Sequence, residues 1–576
     1  MFSDMLHIGP RPVAAFRCVI TMPLLSTAIG LHHRGASQPI RGAGCCASVA
    51  RPGVLSRGPS RQVASSSTPA RSRSKPSRKP KAHRDAAKTS AVPSESSGSR
   101  RLGVGRWKFT VPDALQRALD AWGPSLRQRV ALRRQAWFLQ HGQGRGVSAL
   151  VPSPSQLVVG TDCSGAEAPI WSLRAMGISH THAFSSDTSP AVRKFIAACS
   201  PPEGNIFSNM LGRDLGAIPA HSIYVCGFPC KPFSSLRRHS TRLMREPTAK
   251  PFFAAVKVIQ EHLPIIAVLE NVMGIASVMA AVVSHFVNLR WYYVLVVPIN
   301  STELGEPIRR PRFYFVLLRR DVAAITDRRD LKDFVEAMLD AARRPCADSI
   351  AQRMLPASHS AVQQFCERHR RAKTSLKKST SGKWHKYNEA FAKAHHVPWS
   401  GGVSGTCEIV GLRHPRVQTA WQLLSKAHAS RDLVADVSQS VHRATVCCDG
   451  TAPTITPNGI VAVKRLSRIM LPAEKLLVHN FPLHKMSVPA DMSEKELSSL
   501  GGNTMHLAAV GCALLIGIGA IDWTASEAKV GQKPTGAMPS REPAIYIGAA
   551  ATHDPARKKK KRSRSPCVSM KPKRRK

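Results

Sequence analysis

Acidic residues are scarce in this chain of 576 residues. Only 36 Asp and Glu stand against 83 Lys and Arg, which gives a formal net charge of +47. A surface this basic repels itself and is best tolerated beside a polyanion. We therefore expect a nucleic acid as the first candidate partner, with an anionic membrane surface as the alternative.

The chain also lacks any C-x-x-C pair among its 14 cysteines. An ordinary zinc module therefore has no obvious ligands, and no metal is expected. The adjacent pairs Cys45–Cys46 and Cys447–Cys448 have a poor geometry for disulfides. Mostly reduced thiols fit an intracellular compartment.

Long apolar runs are missing, with one exception between Met505 and Ile521. That run is about long enough to suggest a membrane span, but it contains His506 and several glycines. We interpret it as a buried helix and expect no membrane contact. The sequence also has no repeat of fixed period.

Both ends of the chain are predicted to be disordered and basic. Residues 1–105 hold three acids in all, and the stretch from Ser56 to Ser99 has too few apolar residues to fold. The second tail, residues 523–576, carries the clusters Lys558–Arg562 and Lys571–Lys576, which resemble two halves of a nuclear import signal. We expect a nuclear protein; the Arg-bearing, acid-poor first 50 residues leave an organelle transit peptide as the alternative.

Residues 106–150 are predicted to be a helical extension. Asp113–Trp122 and Leu126–Gln140 space their apolar residues three and four apart, and Gly123-Pro124 is expected to separate them into two helices.

Short apolar runs then alternate with helical patterns as far as Asp321. This alternation favours an α/β fold with a mainly parallel sheet flanked by helices. The predicted strands are Gln156–Thr161, His182–Ser186, Ser222–Cys226, Ile265–Leu269, Tyr292–Val297 and Phe313–Leu318, and the predicted helices are Ala191–Ala198, Phe252–His262 and Val278–Leu289.

Residues capable of chemistry follow several of these strands. Cys230 lies in a proline-stiffened loop directly after a strand, where open α/β sheets place their ligands. Its thiolate would need positive charge nearby, which Lys231, Arg237 and Arg238 could supply; an inert buried cysteine is the alternative. Glu270 ends another strand and could act as an acid if it is partly buried, or it could be an ion-paired structural residue.

A third pattern suits a nucleotide-like cofactor. Residues 159–166 form a strand followed by a tight turn of small residues, which lets the backbone approach a ligand closely. Asp187 ends the next predicted strand, where a carboxylate can bind ribose hydroxyls.

Taken in order, these elements resemble the cytosine-5 DNA methyltransferase family. The resemblance covers about residues 157–320 and 465–518. It is carried by Gly227–Ser234 (GFPCKPFS), Glu270–Val272 (ENV), Gly305–Arg312 (GEPIRRPR), Arg468–Pro482 (R-x5-E-x6-FP) and Gly502–Met505 (GNTM).

The resemblance implies a Rossmann-like S-adenosylmethionine-dependent methyltransferase fold with a smaller target-recognition region. The catalytic domain would comprise residues 151–321 and 465–522, and residues 322–464 would recognise the target or form a solvated insertion. The latter segment is basic and carries Trp384 and Tyr387, a composition suited to phosphate contact and base stacking.

The resemblance also implies roles for individual residues. Cys230 would add to cytosine C6, Glu270 would contact N3 and the amino group, and Arg310 and Arg312 would steady the base and the cysteine loop. The base would have to flip out of the helix. S-adenosyl-L-methionine would be bound by Cys163, Ser164, Gly165, Asp187, Asn209, Asn503 and Thr504.

Several positions depart from the family pattern. Cys163 stands where the family usually has an aromatic residue, Glu167 and Ala168 replace a Gly-Gly pair, and Asn209 stands where Asp is usual. These changes bear on cofactor affinity more than on the chemistry. The sequence thus predicts a DNA cytosine-5 methyltransferase acting on double-stranded DNA, with a tRNA methyltransferase or a catalytically silent DNA-binding protein as alternatives.

Overall fold

A computed structural model describes residues 106–107, 109–142, 157–231, 233, 244, 247–371, 382–401, 407–526 and 529–548, all within one compact unit of the chain, Gly98–Lys576. The predicted N-terminal tail and both C-terminal basic clusters lie outside these residues. The strands are β1 (Arg106–Trp107), β2 (Val158–Asp162), β3 (Thr181–Ser186), β4 (Ile206–Phe207), β5 (Ile223–Cys226), β6 (Ile266–Val272), β7 (Tyr292–Ile299), β8 (Arg312–Arg319), β9 (Val434–Asp436), β10 (Thr445–Cys447), β11 (Val461–Val463), β12 (Arg468–Ile469), β13 (Val488–Pro489) and β14 (Ile545–Tyr546). The α-helices are α1 (Asp113–Gln140), α2 (Ala168–Ala175), α3 (Pro190–Cys199), α4 (Lys250–His262), α5 (Met279–Val287), α6 (Arg328–Ala342), α7 (Ser360–Arg371), α8 (Gly382–Ala394), α9 (Pro415–Ala427), α10 (Glu474–Leu477), α11 (Glu494–Asn503) and α12 (Leu507–Gly519).

The central feature is an eight-stranded sheet in the order β14-β7-β8-β6-β5-β2-β3-β4. Its strands pair in parallel, except that β8 runs antiparallel to both β6 and β7. The chain moves outward from β2 to β4 and then returns to β5 on the other side of β2. The predicted α/β class is confirmed, and the reversal at β2 places a ligand crevice at the carboxyl ends of β2 and β5.

Alternation along the central strands creates two hydrophobic cores. Ile266 and Val268 of β6 belong to the core that contains α1, α2, α6 and α12. Ala267 and Leu269 face the opposite core, which contains α4 and α5. Since successive side chains of a strand point to opposite faces, helices cover both sides of the sheet.

Helix α12 is the apolar run that could have been a membrane span. The described stretch Glu494–Gly519 is long and apolar enough to cross a membrane by length and composition, yet 94% of its most apolar window is buried inside the protein. All thirteen residues of α12 are buried. Gly511 allows close packing, because a Cβ there would lie 2.4 Å from Ser172 Oγ. The interpretation of this run as a buried helix is confirmed.

The prediction that Gly123-Pro124 separates two helices is wrong. Helix α1 is continuous through Pro124. Its buried residues Leu119, Trp122 and Leu126 keep a helical spacing across the proline, so both halves present one face to the same core. Tertiary packing of that face outweighs the local cost of roughly 3 kcal/mol for a proline inside a helix.

Residues 322–464 are more ordered than their sequence pattern indicates. Helix α6 begins after Asp327, whose side chain accepts hydrogen bonds from two backbone N–H groups, and it packs into the same core as α1. Strands β10, β9, β11 and β12 form a separate antiparallel sheet, against which α8 and α9 contribute a small core. This small sheet therefore crosses the predicted boundary at residue 465.

The predicted disordered tail does not begin at residue 523. Trp523 is buried, and β14 pairs with β7 at the edge of the large sheet. Glu542 forms ion pairs with Arg320 and Arg328 at 3.0 and 2.8 Å. Residues 529–548 show little apolar periodicity in the sequence. They are attached by a two-residue strand and two ion pairs, which do not require a periodic apolar pattern.

Replacing Gly123 with Ala is expected to lower the free energy of unfolding by about 1–3 kcal/mol. An ideal Cβ at this position would lie 2.3 Å from the carbonyl oxygen of Ala175, so α1 and α2 would have to separate. The expected sign opposes helix propensity, which favours Ala over Gly by about 1 kcal/mol. Urea unfolding tests it, with Ala121→Ser at an exposed position of α1 as the control; a stabilised Gly123→Ala variant would contradict it.

Candidate active site

A cavity of about 1280 Å³ lies where the strand order reverses. Its wall includes residues that follow β2, β3, β5 and β6, and residues from the small sheet. Nine of the eleven predicted site residues line it: Cys163, Gly165, Asp187, Asn209, Cys230, Glu270, Arg310, Arg312 and Asn503. Ser164 and Thr504 are buried beside the cavity and are not among its described lining residues.

The loop after β5 holds Cys230 in place. Asn271 Nδ2 donates a hydrogen bond of 3.0 Å to the carbonyl oxygen of Phe228, and the Phe228 ring packs 5.2 Å from that of Phe252. Gly227 lies against Met505, whose Cε would be 2.7 Å from a Cβ at position 227. A loop fixed at these points gives the Cys230 thiol a defined position at the cavity wall.

Burial raises the pKa of the Cys230 thiol, and the negative charge of Glu270 raises it further, whereas Arg312 and Arg310 lower it. Lys231, proposed from the sequence as a source of positive charge, is exposed, and Arg237 and Arg238 lie outside the described residues. Positive charge reaches the thiol from Arg310 and Arg312, in the segment Arg309–Arg312 that we call the β8 approach. The free protein holds Cys230 mainly as the thiol at neutral pH.

Glu270 and Arg312 form an ion pair across neighbouring strands. Glu270 opposes Tyr314 in the β6–β8 ladder, so Arg312 is its diagonal neighbour on the same face. Arg312 Nε lies 2.8 Å from Glu270 Oε1, and both side chains are nearly nine-tenths buried. That oxygen is buried and makes no directed hydrogen bond within the described residues, so its contact with Arg312 is an ion pair. The ion-paired alternative for Glu270 is therefore present, in a residue that also lines the cavity.

Arg310 serves the cavity differently. Its guanidinium is buried and donates to the carbonyl oxygens of Ile455, at 3.2 Å, and Thr504. Burial lowers the pKa of Arg310 to about 9, so it remains charged at neutral pH. Arg310 therefore joins the cavity wall to the start of α12, and Thr504 contributes its carbonyl oxygen to that link.

The turn after β2 forms the cofactor side of the cavity. Cys163, Gly165 and Glu167 all adopt positive φ, with values of 50°, 55° and 58°. The backbone N–H of Gly165 donates to Asp187 Oδ2 at 3.2 Å, and that of Ser189 donates to Oδ1 at 2.8 Å. These bonds hold the Asp187 carboxylate at the end of β3, while burial raises its pKa.

Ser164 binds the turn to β3 instead of facing the cavity. Its hydroxyl accepts from the N–H of Ser186 at 3.0 Å and contacts the carbonyl oxygens of Thr161 and Ser186, both at 3.2 Å. Asn209 and Asn503 lie at the exposed rim. Asn209 Oδ1 already accepts from the N–H of Leu211 at 2.9 Å, so its amide is positioned by its own loop.

Glu167, which stands where the family usually has a glycine, points its side chain into the protein interior. Its carboxyl is fully buried and accepts hydrogen bonds from Ser185 at 2.6 Å and Thr161 at 2.8 Å. Burial raises the pKa of Glu167 to about 7 and lowers that of the neighbouring His182 to about 3. His182 is therefore neutral, and its 3.7 Å contact with Glu167 is not a charged pair at neutral pH.

Sequence reasoning assigned no role to two features, one at the end of β2 and one in the cavity wall. The buried Asp162 at the end of β2 binds Arg213 through two hydrogen bonds of 2.8 and 2.5 Å and accepts a third from Tyr224. The five residues Pro453–Pro457 form a wall of the cavity. Their Pro-Thr composition was the only signal in the sequence, and it did not indicate a place in the cavity.

Comparison with known protein families identifies the family to which the chain belongs. The model of the C-5 cytosine-specific DNA methylase family matches residues 164–472, which is more than half of the chain. The chain belongs to the C-5 cytosine-specific DNA methylase family. The family assignment expected from the sequence is confirmed, and the large, mostly parallel sheet with a smaller antiparallel sheet agrees with the expected α/β class.

Individual relatives of this methylase are distant. The Type II methyltransferase M.HhaI of Haemophilus parahaemolyticus is 28% identical over 109 residues, which cover 18% of this chain and 33% of that protein. The solved structures of the S. pombe Dnmt2 methyltransferase (12% identity) and a prophage-encoded putative DNA modification methyltransferase of E. coli (15%) both give TM-scores of 0.38. They cover 62% and 63% of this chain and 98% of their own. The Entamoeba histolytica methyltransferase EhMeth gives 0.37 at 13% identity, covering 63% of this chain and 97% of its own.

Methylases of this family take their methyl group from S-adenosylmethionine. The residues present fit such a group: a carboxylate beyond β3 for ribose hydroxyls, and open space beside Gly165, where a Cβ would meet nothing within 4 Å. Val192 and Met210 add an apolar lining, which suits an adenine ring. No group of three or more His, Cys, Asp or Glu in the described parts of the chain could hold a metal ion.

Replacing Arg312 with Gln should slow alkylation of Cys230 by iodoacetamide at pH 8 by about threefold to tenfold. The change removes a positive charge that lowers the thiol pKa and leaves Glu270, which raises it. Mass spectrometry of the labelled peptides measures the rate, with the exposed Cys448 as an internal control. An unchanged ratio of the two rates would mean that Arg312 does not act on the thiol.

Replacing Glu167 with Gln should change how stability depends on pH. The folded-state pKa near 7 lies above the ordinary 4.5, so the wild-type free energy of unfolding loses a contribution of up to about 3 kcal/mol as pH rises through this window. Gln does not titrate, so its stability relative to wild type should improve between pH 5 and pH 8. Urea unfolding at both values measures this; a constant difference would place the Glu167 pKa outside the window.

Proposed function

We propose that this methylase transfers a methyl group to C5 of cytosine in DNA through a covalent bond between Cys230 and the base. One observation carries the proposal: the Cys230 thiol and the Glu270–Arg312 pair line one cavity together with Asp187. A nucleophile, an acid and a cofactor-side carboxylate are the groups that cytosine methylation at C5 requires.

The chemistry of the protein's own residues begins with the thiol. The Cys230 thiol gives its proton to water and its sulfur adds to cytosine C6, which gives C5 the electron density of a nucleophile. Glu270 shares a proton with the N3 edge of the ring, and Arg312 holds the Glu270 side chain in place. Bound S-adenosylmethionine supplies the methyl group that C5 receives. Water then takes the C5 proton, the electron pair of that bond re-forms the C5–C6 double bond, and the Cys230 sulfur leaves C6 as the thiolate.

Four observations support DNA as the substrate. The family model is that of DNA methylases, and the net charge of +47 suits a polyanion. The reactive groups lie inside a cavity, which a base reaches only after leaving the stack. The basic clusters at residues 558–562 and 571–576 support a nuclear address, where the DNA is found. A tRNA substrate would also satisfy the charge and remains the second candidate.

Transfer of labelled methyl groups to duplex DNA and to tRNA, assayed in parallel, tests the substrate. We expect incorporation into DNA, lowered by at least about a hundredfold in Cys230→Ala because the nucleophile is lost. Cys448→Ala, at an exposed position, should keep the wild-type rate. Incorporation into tRNA alone would overturn the choice of DNA. Folded protein that binds the cofactor but methylates neither substrate would support a silent DNA-binding protein.

A further inference from the structure

A buried lysine lies behind one wall of the active-site cavity. Lys475 of α10 is 3% exposed, and its ammonium has no carboxylate within hydrogen-bond distance among the described residues. Its Nζ instead donates to the carbonyl oxygens of Thr456 at 3.2 Å, Pro457 at 3.4 Å and Gly459 at 3.0 Å, and to Ser498 Oγ at 2.7 Å. Such a buried ammonium is stable only when oxygens of this kind surround it.

The oxygens belong to a segment that we name the cavity strap, residues 453–459. Its first five residues line the cavity. Its opposite edge is held by the β8 approach, since Arg310 donates to Ile455 O and Thr454 Oγ1 donates to Arg309 O at 2.6 Å. The strap is therefore held from two sides by two buried cations, Arg310 and Lys475.

The strap also packs tightly against α11. A Cβ on Gly502 would lie 2.2 Å from the backbone nitrogen of Pro457, and one on Gly501 would lie 2.5 Å from Lys475 Cβ. Ser498 of α11 donates to Pro457 O at 2.9 Å as well as accepting from Lys475. Glycine at 501 and 502 thus allows α11, Lys475 and the strap to meet, next to Asn503 at the cavity rim.

We propose that Lys475 is a positioning residue for methyl transfer, whose ammonium fixes the cavity strap as a wall of the cavity that Cys230 and Glu270 also line. Burial lowers the pKa of Lys475 to about 8, against the nearby Asp436, which raises it, so the ammonium form still predominates at pH 7. The carbonyl oxygens of Thr456 and Pro457 also accept from the N–H of Gly459 and from Ser498 Oγ, so the ammonium adds a second, charged donor to each of them and binds Gly459 O as well. The proposal rests on the function proposed above, because it assigns the strap a part in that reaction.

Hydrogen–deuterium exchange tests the strap without any substrate. Lys475→Met keeps the length of the side chain but removes its donors, so exchange of the peptide 452–460 should speed up at least about tenfold at pH 7. Ser498→Ala should produce a smaller rise of the same kind. Leu339→Ala, at a buried position of α6, serves as the control because it lowers global stability. In this variant the exchange rate of peptide 452–460, divided by that of α12, should stay unchanged. Unchanged exchange in Lys475→Met would overturn the proposal.

Methyl transfer to duplex DNA provides the second readout. We expect kcat to fall about tenfold or more in Lys475→Met, to recover at least partly in Lys475→Arg, and to stay at the wild-type level in Leu339→Ala. Faster strap exchange with an unchanged kcat would overturn the positioning role. Wild-type protein that methylates no DNA would instead refute the proposed function, which the exchange result alone cannot do.

Discussion

The ion pair between Glu270 and Arg312 is the interaction on which the site depends. It arises from the sheet, because β8 runs antiparallel beside β6 and brings Arg312 diagonally opposite Glu270. A carboxylate buried this deeply would be costly without its partner. The same guanidinium lowers the pKa of Cys230, so Arg312 acts on the thiol as well as holding the side chain of Glu270. Removing either member of the pair leaves the other as an unpaired buried charge, and it changes the surroundings of the Cys230 thiol.

The chain entering β8 connects this pair to the rest of the cavity. Arg310 and Arg312 are two residues apart, but Arg312 pairs with the acid while Arg310 binds the carbonyl oxygens of Ile455 and Thr504. One short segment therefore contacts Glu270 and also holds another wall of the same cavity. Lys475 holds the same wall from behind, so the small sheet and the large sheet meet at a fixed cavity.

Much of this arrangement could be predicted from the sequence because local patterns determine it. All six predicted strands of the large sheet are present, since short continuous apolar runs reflect burial on both faces. The order of motifs around Cys230 and Glu270 placed them at neighbouring strand ends, where parallel strands converge. Local reasoning failed at Pro124, where packing of a continuous apolar face outweighs the helix-breaking residue. It also failed at residues 529–548, which are held by a two-residue strand and by ion pairs of Glu542.

Other features depend on contacts between residues far apart in the chain. The sequence suggested cofactor roles for Ser164 and Thr504, but Ser164 uses its hydroxyl to tie β2 to β3, and Thr504 offers a carbonyl to Arg310. Glu167 looked like an intrusion into the cofactor turn, and its side chain is buried on the inner side of that turn. The importance of Lys475 is invisible in sequence, because its partners are backbone oxygens about 16 to 19 residues earlier.

The central claim is that the Cys230 thiol meets a cytosine ring whose other edge contacts Glu270. Duplex DNA containing 5-fluorocytosine, incubated with the protein and S-adenosylmethionine, tests it most directly, because fluorine at C5 cannot leave as a proton and the sulfur–carbon bond persists. Mass spectrometry of the digested complex should find the base attached to Cys230, with formation of the complex greatly slowed in Glu270→Gln. Attachment to another cysteine, or no adduct from folded protein that binds both cofactor and DNA, would contradict the account.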